Sequence, residues 1–398
     1  MLKEILFDQV KPAYGCTEPI AVALAVAAAK KHFEGEVERI EVELDKNTYK
    51  NGLEVNIPGT PFIGLEIAAA LSYTCGDASL GLEVLKNVNQ KCIDESHKYL
   101  GKVKIKVNKD FNGLKVNCVL RGKSNVQVII EGKHDNIVHI EKDGTPILDK
   151  PFEPGGTLLD KIKDYSIDEI LDFIEDFDED IRELLEKAIE MNTGIAERGL
   201  KNPQNFGNVL DYEPVNIVQA AVDARMSGEL MPVMTVAGSG NQGLSCTLPV
   251  IEIGKKYDNE KVLKAILLSM LVTIYIKAYT GVLTPICGAG SIAPAGAAAG
   301  IVYLKGGNRD QIKNAINNVL STLFGLTCDG AKKGCALKAG TGSFTALQSA
   351  QLALNNINIP CGNGIAADDV EETIKRVGIL TTSIKKFDED VLDFIGKC

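Results

Sequence analysis

KVKIKVNKDFNGLKVNCVLRGKSNVQVIIEGKHDNIVHIEK, residues 102–142, holds four short strand-like runs, the first of which alternates polar and apolar residues strictly. They are KVKIKV (102–107), LKVNCVL (114–120), VQVIIEG (126–132) and IVHIEK (137–142). Alternation with period two sends every second side chain to one face of a pleated strand. The runs are spaced like hairpins, and Asn112-Gly113 and Asp143-Gly144 supply turn residues around them. This predicts a mainly antiparallel sheet, because parallel strands need long crossovers.

Working outward, VERIEVEL (37–44) alternates in the same way and reads as another strand. Asn51-Gly52 is a turn signal before LEVNIP, and helices are expected at about 62–73 and 80–98. EPIAVALAVAAAKKHF (18–33) is Ala-rich and helical, with lysines near its C-terminal end. Pro151, Pro154, Gly155 and Gly156 mark a boundary. Beyond it, Ser166 and Glu169 form a capping box that opens an acidic helix. Helical patterns then dominate, broken by glycine-rich loops at 237–243, 287–290, 325–342 and 361–364. Small residues in IAPAGAAAGIVYL (292–304) allow close helix approach. The expected fold class is α+β: a helix-rich domain with Gly-rich loops plus a smaller lobe of antiparallel sheet and helices. The expected division is an N-terminal segment 1–33 packing with the helical domain, a strand-rich lobe 34–155 and a helical domain 156–398.

Composition bounds the function. The chain has 398 residues, 45 % hydrophobic and 24 % charged, with a net charge of −10. No long Lys/Arg block appears and Trp is absent, which argues against a nucleic-acid partner. The start carries acidic residues and no apolar signal core. The apolar stretch Val262–Tyr279 contains Lys264 and Lys277, so it reads as a buried core helix and not a membrane span. A cytoplasmic, reducing location is expected, in which ten cysteines stay unpaired. A homo-oligomer is admitted but not specified.

Four histidines, His32, His97, His134 and His139, fall outside the glycine loops, and each reads as a surface residue. A His-based triad or zinc site is therefore poorly supported. Cysteine is more informative. Cys287 lies in TPICGAGS, and Cys328 and Cys335 lie in LTCDGAKKGCALKAGTG. All three neighbour glycine, which lets backbone N–H groups approach cluster sulfides. Two readings stand level: three small buried hydrophobes, or three thiolates holding a cluster with one iron open to substrate. Cys16, in AYGCTEPIAVALAV, precedes a helix with Pro19 in its first turn. A thiol facing the helix dipole is favoured as thiolate, a candidate nucleophile or base. A capping-region cysteine with no role fits equally well. VAGSGNQG (236–243) offers Ser239 and Asn241, suited to a carboxylate through backbone N–H groups and weak evidence for a nucleotide. Lys332, Lys333 and Lys338 are the alternatives for a pyridoxal Schiff base, and nothing else suggests that cofactor. Cys92 and Cys118 read as packing residues. Cys398, the last residue, is expected to reach the open iron when substrate is absent.

YGCTEP, SGNQG, PICGAGS and CDGAKKGC together resemble the L-cysteine desulfidase family along essentially the whole chain. More distantly, they are similar to the catalytic part of iron–sulfur L-serine dehydratases. The resemblance implies conversion of L-cysteine and water to pyruvate, ammonia and sulfide with a 4Fe–4S cluster and no pyridoxal phosphate. It assigns Cys287, Cys328 and Cys335 as cluster ligands and Cys16 as proton acceptor. Thr17, Glu18, Asn51, Ser239 and Asn241 become substrate contacts, and the substrate a small amino acid. Serine as substrate, and a structural or redox-sensing iron–sulfur protein, remain the alternatives.

Overall fold

The computed structural model describes residues 1–394 except 112, 210, 211 and 385. Asn112, half of one expected turn, and Cys398 therefore lie outside the described residues. The chain opens with α1 (Leu2–Gln9), β1 (Pro12–Tyr14), α2 (Thr17–His32), β2 (Val37–Leu44), α3 (Lys46–Gly52), α4 (Leu65–Cys75) and α5 (Gln90–Leu100). Strands β3 (Val103–Val107), β4 (Lys115–Gly122), β5 (Asn125–Glu131), β6 (Ile137–Lys142) and β7 (Thr145–Asp149) follow. Next come α6 (Ile167–Phe173), α7 (Glu179–Leu200), α8 (Glu213–Met226), β8 (Pro232–Met234), α9 (Gly240–Gly254) and α10 (Asn259–Thr280). The last helices are α11 (Ala293–Leu304), α12 (Arg309–Leu323), α13 (Cys335–Leu354), α14 (Val370–Ser383) and α15 (Lys386–Leu392). The fold is α+β.

Six strands form one sheet in the order β3-β2-β4-β5-β6-β7. Every pair is antiparallel except β2 with β3. That parallel pair departs from the expectation because α3, α4 and α5 intervene, giving the long crossover such a pair requires. Val42 stands opposite Cys118, and Cys118 opposite Val128. All three are buried on the face that α2 and α4 cover. Asp143 and Gly144 both take positive φ, +49° and +81°, which matches the right-handed twist of the β6–β7 hairpin. β7 escaped the sequence reading: it is an exposed edge strand carrying Pro146.

Asn51-Gly52 is not a free turn but the end of α3. Asp45 caps that helix, its carboxylate accepting the N–H groups of Asn47 and Thr48, so the local helix prevails. The expected helix at 80–98 is two pieces, a 3-10 stretch at Ala78–Glu83 broken by Gly81 at φ +56°, and α5. The Ser166–Glu169 capping box is present in both halves.

α2 is buried through Ala29 on every side, as a helix apolar all round must be. α10 is long and apolar enough to cross a membrane, yet 89 % of its apolar window is buried inside the protein as a core helix. α11 lies hard against it. A Cβ on Gly296 would stand 2.3 Å from the Ser269 carbonyl, and one on Gly300 2.7 Å from that of Ala265. The apolar interior forms two clusters, one under the sheet and one among the helices. The N-terminal segment serves both. Leu2, Ile5 and Leu6 of α1 belong to the helical cluster, and α2 to the other. Between them β1 pairs antiparallel with β8, Ala13 opposite Val233.

Candidate active site between the two cores

The β1–β8 pair brings the start of α2 against the start of α9. Gly15 precedes Cys16 at φ +64°, and a Cβ there would meet the Pro58 ring at 2.2 Å, so this close turn needs glycine. Cys16 is the residue before the first turn of α2. Its thiol donates to Glu18 Oε2 at 2.8 Å, and Thr17 Oγ1 donates to the same oxygen at 3.2 Å. Asn51 Nδ2 donates to Glu18 Oε1 at 2.8 Å. The Asn51 carbonyl faces the Cys328 thiol at 3.8 Å, so one amide spans Glu18 and Cys328.

Ser239 caps α9, and its hydroxyl accepts the Gln242 N–H at 3.4 Å. Asn241 Oδ1 accepts from Arg225 Nη1 at 2.8 Å. Arg225 is buried, its Nη2 donates to the Gly15 carbonyl, and its Nε has no partner among the described residues. Gln242 Oε1 is likewise buried and unpaired.

The cysteine loops meet from the other side. Cys287 N–H donates to the Leu326 carbonyl at 2.9 Å, and Cys328 N–H to that of Pro285 at 2.7 Å. An antiparallel bridge between Ile286 and Thr327 holds the two loops side by side. Cys335 begins α13, and its sulfur accepts the Lys332 N–H at 3.4 Å. Lys338 ties the second loop down through Asp329 and, at 2.7 Å, the Thr327 carbonyl.

The nine side chains that the resemblance assigns as cluster ligands, proton acceptor or substrate contacts line one cavity of about 90 Å³: Cys16, Thr17, Glu18, Asn51, Ser239, Asn241, Cys287, Cys328 and Cys335. Arg225, His134, Gln242 and Lys277 line it too, and sequence reasoning missed them. His134 is not a surface residue; it is 2 % exposed, with Nε2 3.9 Å from Glu18 Oε1. A lysine inside the apolar pattern of α10 was the one available signal for Lys277. Burial pulls the Lys277 ammonium down to about 8, opposed by the nearby Cys328 and Cys287 side chains.

One electrostatic expectation is reversed. The helix dipole favours a Cys16 thiolate, but burial, then the Glu18 charge, push this thiol well above its ordinary value despite Arg225. Glu18 is the ionised partner. Burial opposes that, yet His134 and the hydrogen bonds from Cys16 and Asn51 hold its carboxyl below the usual range.

Among the described residues no group of three or more His, Cys, Asp or Glu is arranged for a single metal ion. An iron–sulfur cluster differs, because its cysteines bind different irons. Cys287, Cys328 and Cys335 all line the same cavity, an arrangement compatible with that requirement. Burial and neighbouring thiols push Cys287 up to about 12 and Cys335 to about 11, so these thiols cannot ionise together without a compensating cation.

A model of the family described as serine dehydratase alpha chain matches residues 79–393. That stretch includes His134, SGNQG and the three clustered cysteines but not Cys16, Glu18 or Asn51. "UPF0597 protein" of Thermosipho africanus and that of Thermosipho melanesiensis are each 62 % identical, across 100 % of this chain and 100 % of their own. That of Fervidobacterium nodosum is 49 % identical across 100 % of this chain and 97 % of its own. A match over most of the length, agreeing with a cavity walled by three cysteines, makes this chain a member of the serine dehydratase alpha chain family, a family of iron–sulfur lyases.

Proposed function

We propose that the protein is an L-cysteine desulfidase, which eliminates sulfide from L-cysteine without redox change and, with water, yields pyruvate and ammonia. The observation that carries this reading is the meeting of Cys16, Glu18 and the SGNQG loop with Cys287, Cys328 and Cys335 in one cavity. The three cysteines would hold a 4Fe–4S cluster, which when bound supplies a Lewis-acidic iron that takes the substrate sulfur and eases its departure. The soft sulfur of cysteine suits iron better than the serine hydroxyl. Pyridoxal phosphate has no part in this reading.

The chain's own groups do the rest. The start of α9, with Ser239 and Asn241, and the unpaired Arg225 Nε suit the substrate carboxylate. The unpaired Gln242 Oε1 suits its ammonium. Glu18 takes the Cys16 proton along their hydrogen bond, and the entering ammonium lowers the energy of the resulting thiolate. Cys16 then removes the Cα proton while the C–S electron pair leaves with sulfur. Aminoacrylate tautomerises to the imine and hydrolyses in water.

The test is anaerobic purification, iron and acid-labile sulfide analysis, and parallel assays of sulfide from L-cysteine and pyruvate from L-serine. Sulfide release with bound iron is expected, and Cys328→Ala should lose cluster absorbance and activity together. The family description favours serine as the second reading, and faster turnover of serine would establish it instead. Full activity without a cluster would sink both.

A further inference from the structure

His134 stands in the turn between β5 and β6, and its ring lies between two cavities. On one side is the active-site cavity. Nε2 points there, buried and without a hydrogen-bond partner among the described residues, 3.9 Å from Glu18 Oε1. On the other side is a second cavity of about 20 Å³, bordered by Asp8, Lys11, Lys133 and Asp135. That volume accommodates about one water molecule. Its ion pairs, Lys11–Asp135 at 2.6 Å and Lys133–Asp8 at 2.5 Å, are half-buried, which places the cavity next to solvent. Gly238 borders both cavities at φ +77°, and a Cβ there would stand 3.3 Å from His134 Nδ1. Nothing in the elimination as derived above uses His134, yet its unpaired nitrogen faces the carboxylate that receives the Cys16 proton.

We propose that His134 is a positioning residue that relays the proton from Glu18 to water in the second cavity. The proposal rests on the assignment of Cys16 and Glu18 made above. Each transfer balances. The Cys16 S–H bond breaks as a Glu18 O–H bond forms, and the Glu18 carboxyl then protonates His134 Nε2. The imidazolium releases a proton from Nδ1 to water, and no electrons change hands. The Cα proton taken by Cys16 in each turnover leaves by the same route once the ring, left protonated on Nε2, has tautomerised back to its Nδ1–H form. Closing the gap to hydrogen-bond distance needs about 1 Å of side-chain movement. Burial holds the imidazole below its ordinary value, reinforced by Arg225 and opposed by Glu18, Asp135 and Asp45. The unpaired Nε2 that faces Glu18 is the atom that accepts the proton.

The test uses the holoenzyme. His134→Gln should lower kcat by roughly 10²-fold, the scale of a lost proton-transfer group, while KM and iron content hold. In His134→Gly, added imidazole should restore part of kcat. Undiminished kcat in His134→Gln across the pH range, or no rescue by imidazole, would overturn the relay. A second readout needs no turnover. With four histidines in the chain, a histidine-labelled NMR titration of the full-length protein isolates His134. Glu18→Gln should lower its midpoint further, and an unmoved midpoint would also overturn the proposal. If the titration responds but the unmodified protein releases no sulfide from cysteine, the desulfidase reading falls instead.

Discussion

Asp388→Asn tests whether the last described helix is held by charge. Lys50 Nζ in α3 lies 2.5 Å from Asp388 Oδ1 in α15 and 2.9 Å from the Cys328 carbonyl. The two side chains are 1 % and 2 % exposed. Replacing the carboxylate with an amide keeps the shape but leaves a buried ammonium without its counter-charge. Breaking such a pair from one side costs about 3–5 kcal/mol. α15 is short and packs mainly on α3, so undocking lets water reach Lys50 before the core unfolds. At 1.36 kcal/mol per tenfold, the undocked population should rise roughly 10²- to 10⁴-fold. Cleavage of the open form tracks that population, so limited trypsin digestion at Lys386 reads it directly. Less than about a threefold change in cleavage would refute the reasoning, since a pair that weak behaves as an exposed one. Lys50→Met with Asp388→Leu should recover most of the docking, because apolar replacement of a buried pair is often neutral.

Three further outcomes follow from the geometry. Gly243→Ala should destabilise the protein by about 1–3 kcal/mol, since its Cβ would lie 1.9 Å from the Met234 carbonyl; in Gly288→Ala the nearest atoms belong to the movable Gln242 side chain, so the denaturation midpoint should shift less. Cys16→Ala should retain iron and acid-labile sulfide yet lose roughly 10²- to 10⁴-fold in kcat, and near-normal turnover would remove Cys16 as base. The Asp135 carboxyl lies below its ordinary value, because the hydrogen bond and charge of Lys11 outweigh burial. A depressed acid stabilises the fold above its unfolded value of ~3.9 and loses that contribution as pH falls through the folded one. Acid denaturation followed by circular dichroism should therefore flatten below about pH 4 in Asp135→Asn.

The sheet was legible because one buried face writes a period of two into much of β2, β4 and β5. The Ser166–Glu169 box and the Asp143-Gly144 hairpin were legible because their chemistry is contained in a few neighbouring residues. Asn51-Gly52 misled because the same dipeptide ends α3, and what decides between turn and helix is Asp45, six residues upstream. The cysteines drew notice through their glycine neighbours. His134, Arg225 and Lys277 did not, because a buried polar residue on a strand turn or apolar helix has no periodic signature; its partners lie far away in sequence. For the same reason the helix dipole at Cys16 was visible in advance, but the opposing effect of burial beside Glu18 was not.

The β1–β8 pairing has a consequence for how the protein is made. Cys16 is synthesised near the beginning of the chain and Cys335 more than 300 residues later. At the usual pace of translation the interval is about 15 to 60 s. During that time Cys16 cannot be seated: β1 has no partner until residues 232–234 emerge, and the loops carrying Cys328 and Cys335 come later still. A cluster held by Cys287, Cys328 and Cys335, as proposed, would therefore be completed only after residue 335 has been made. On the proposed reading, iron would reach the site after the strands between residues 37 and 149 have had time to form.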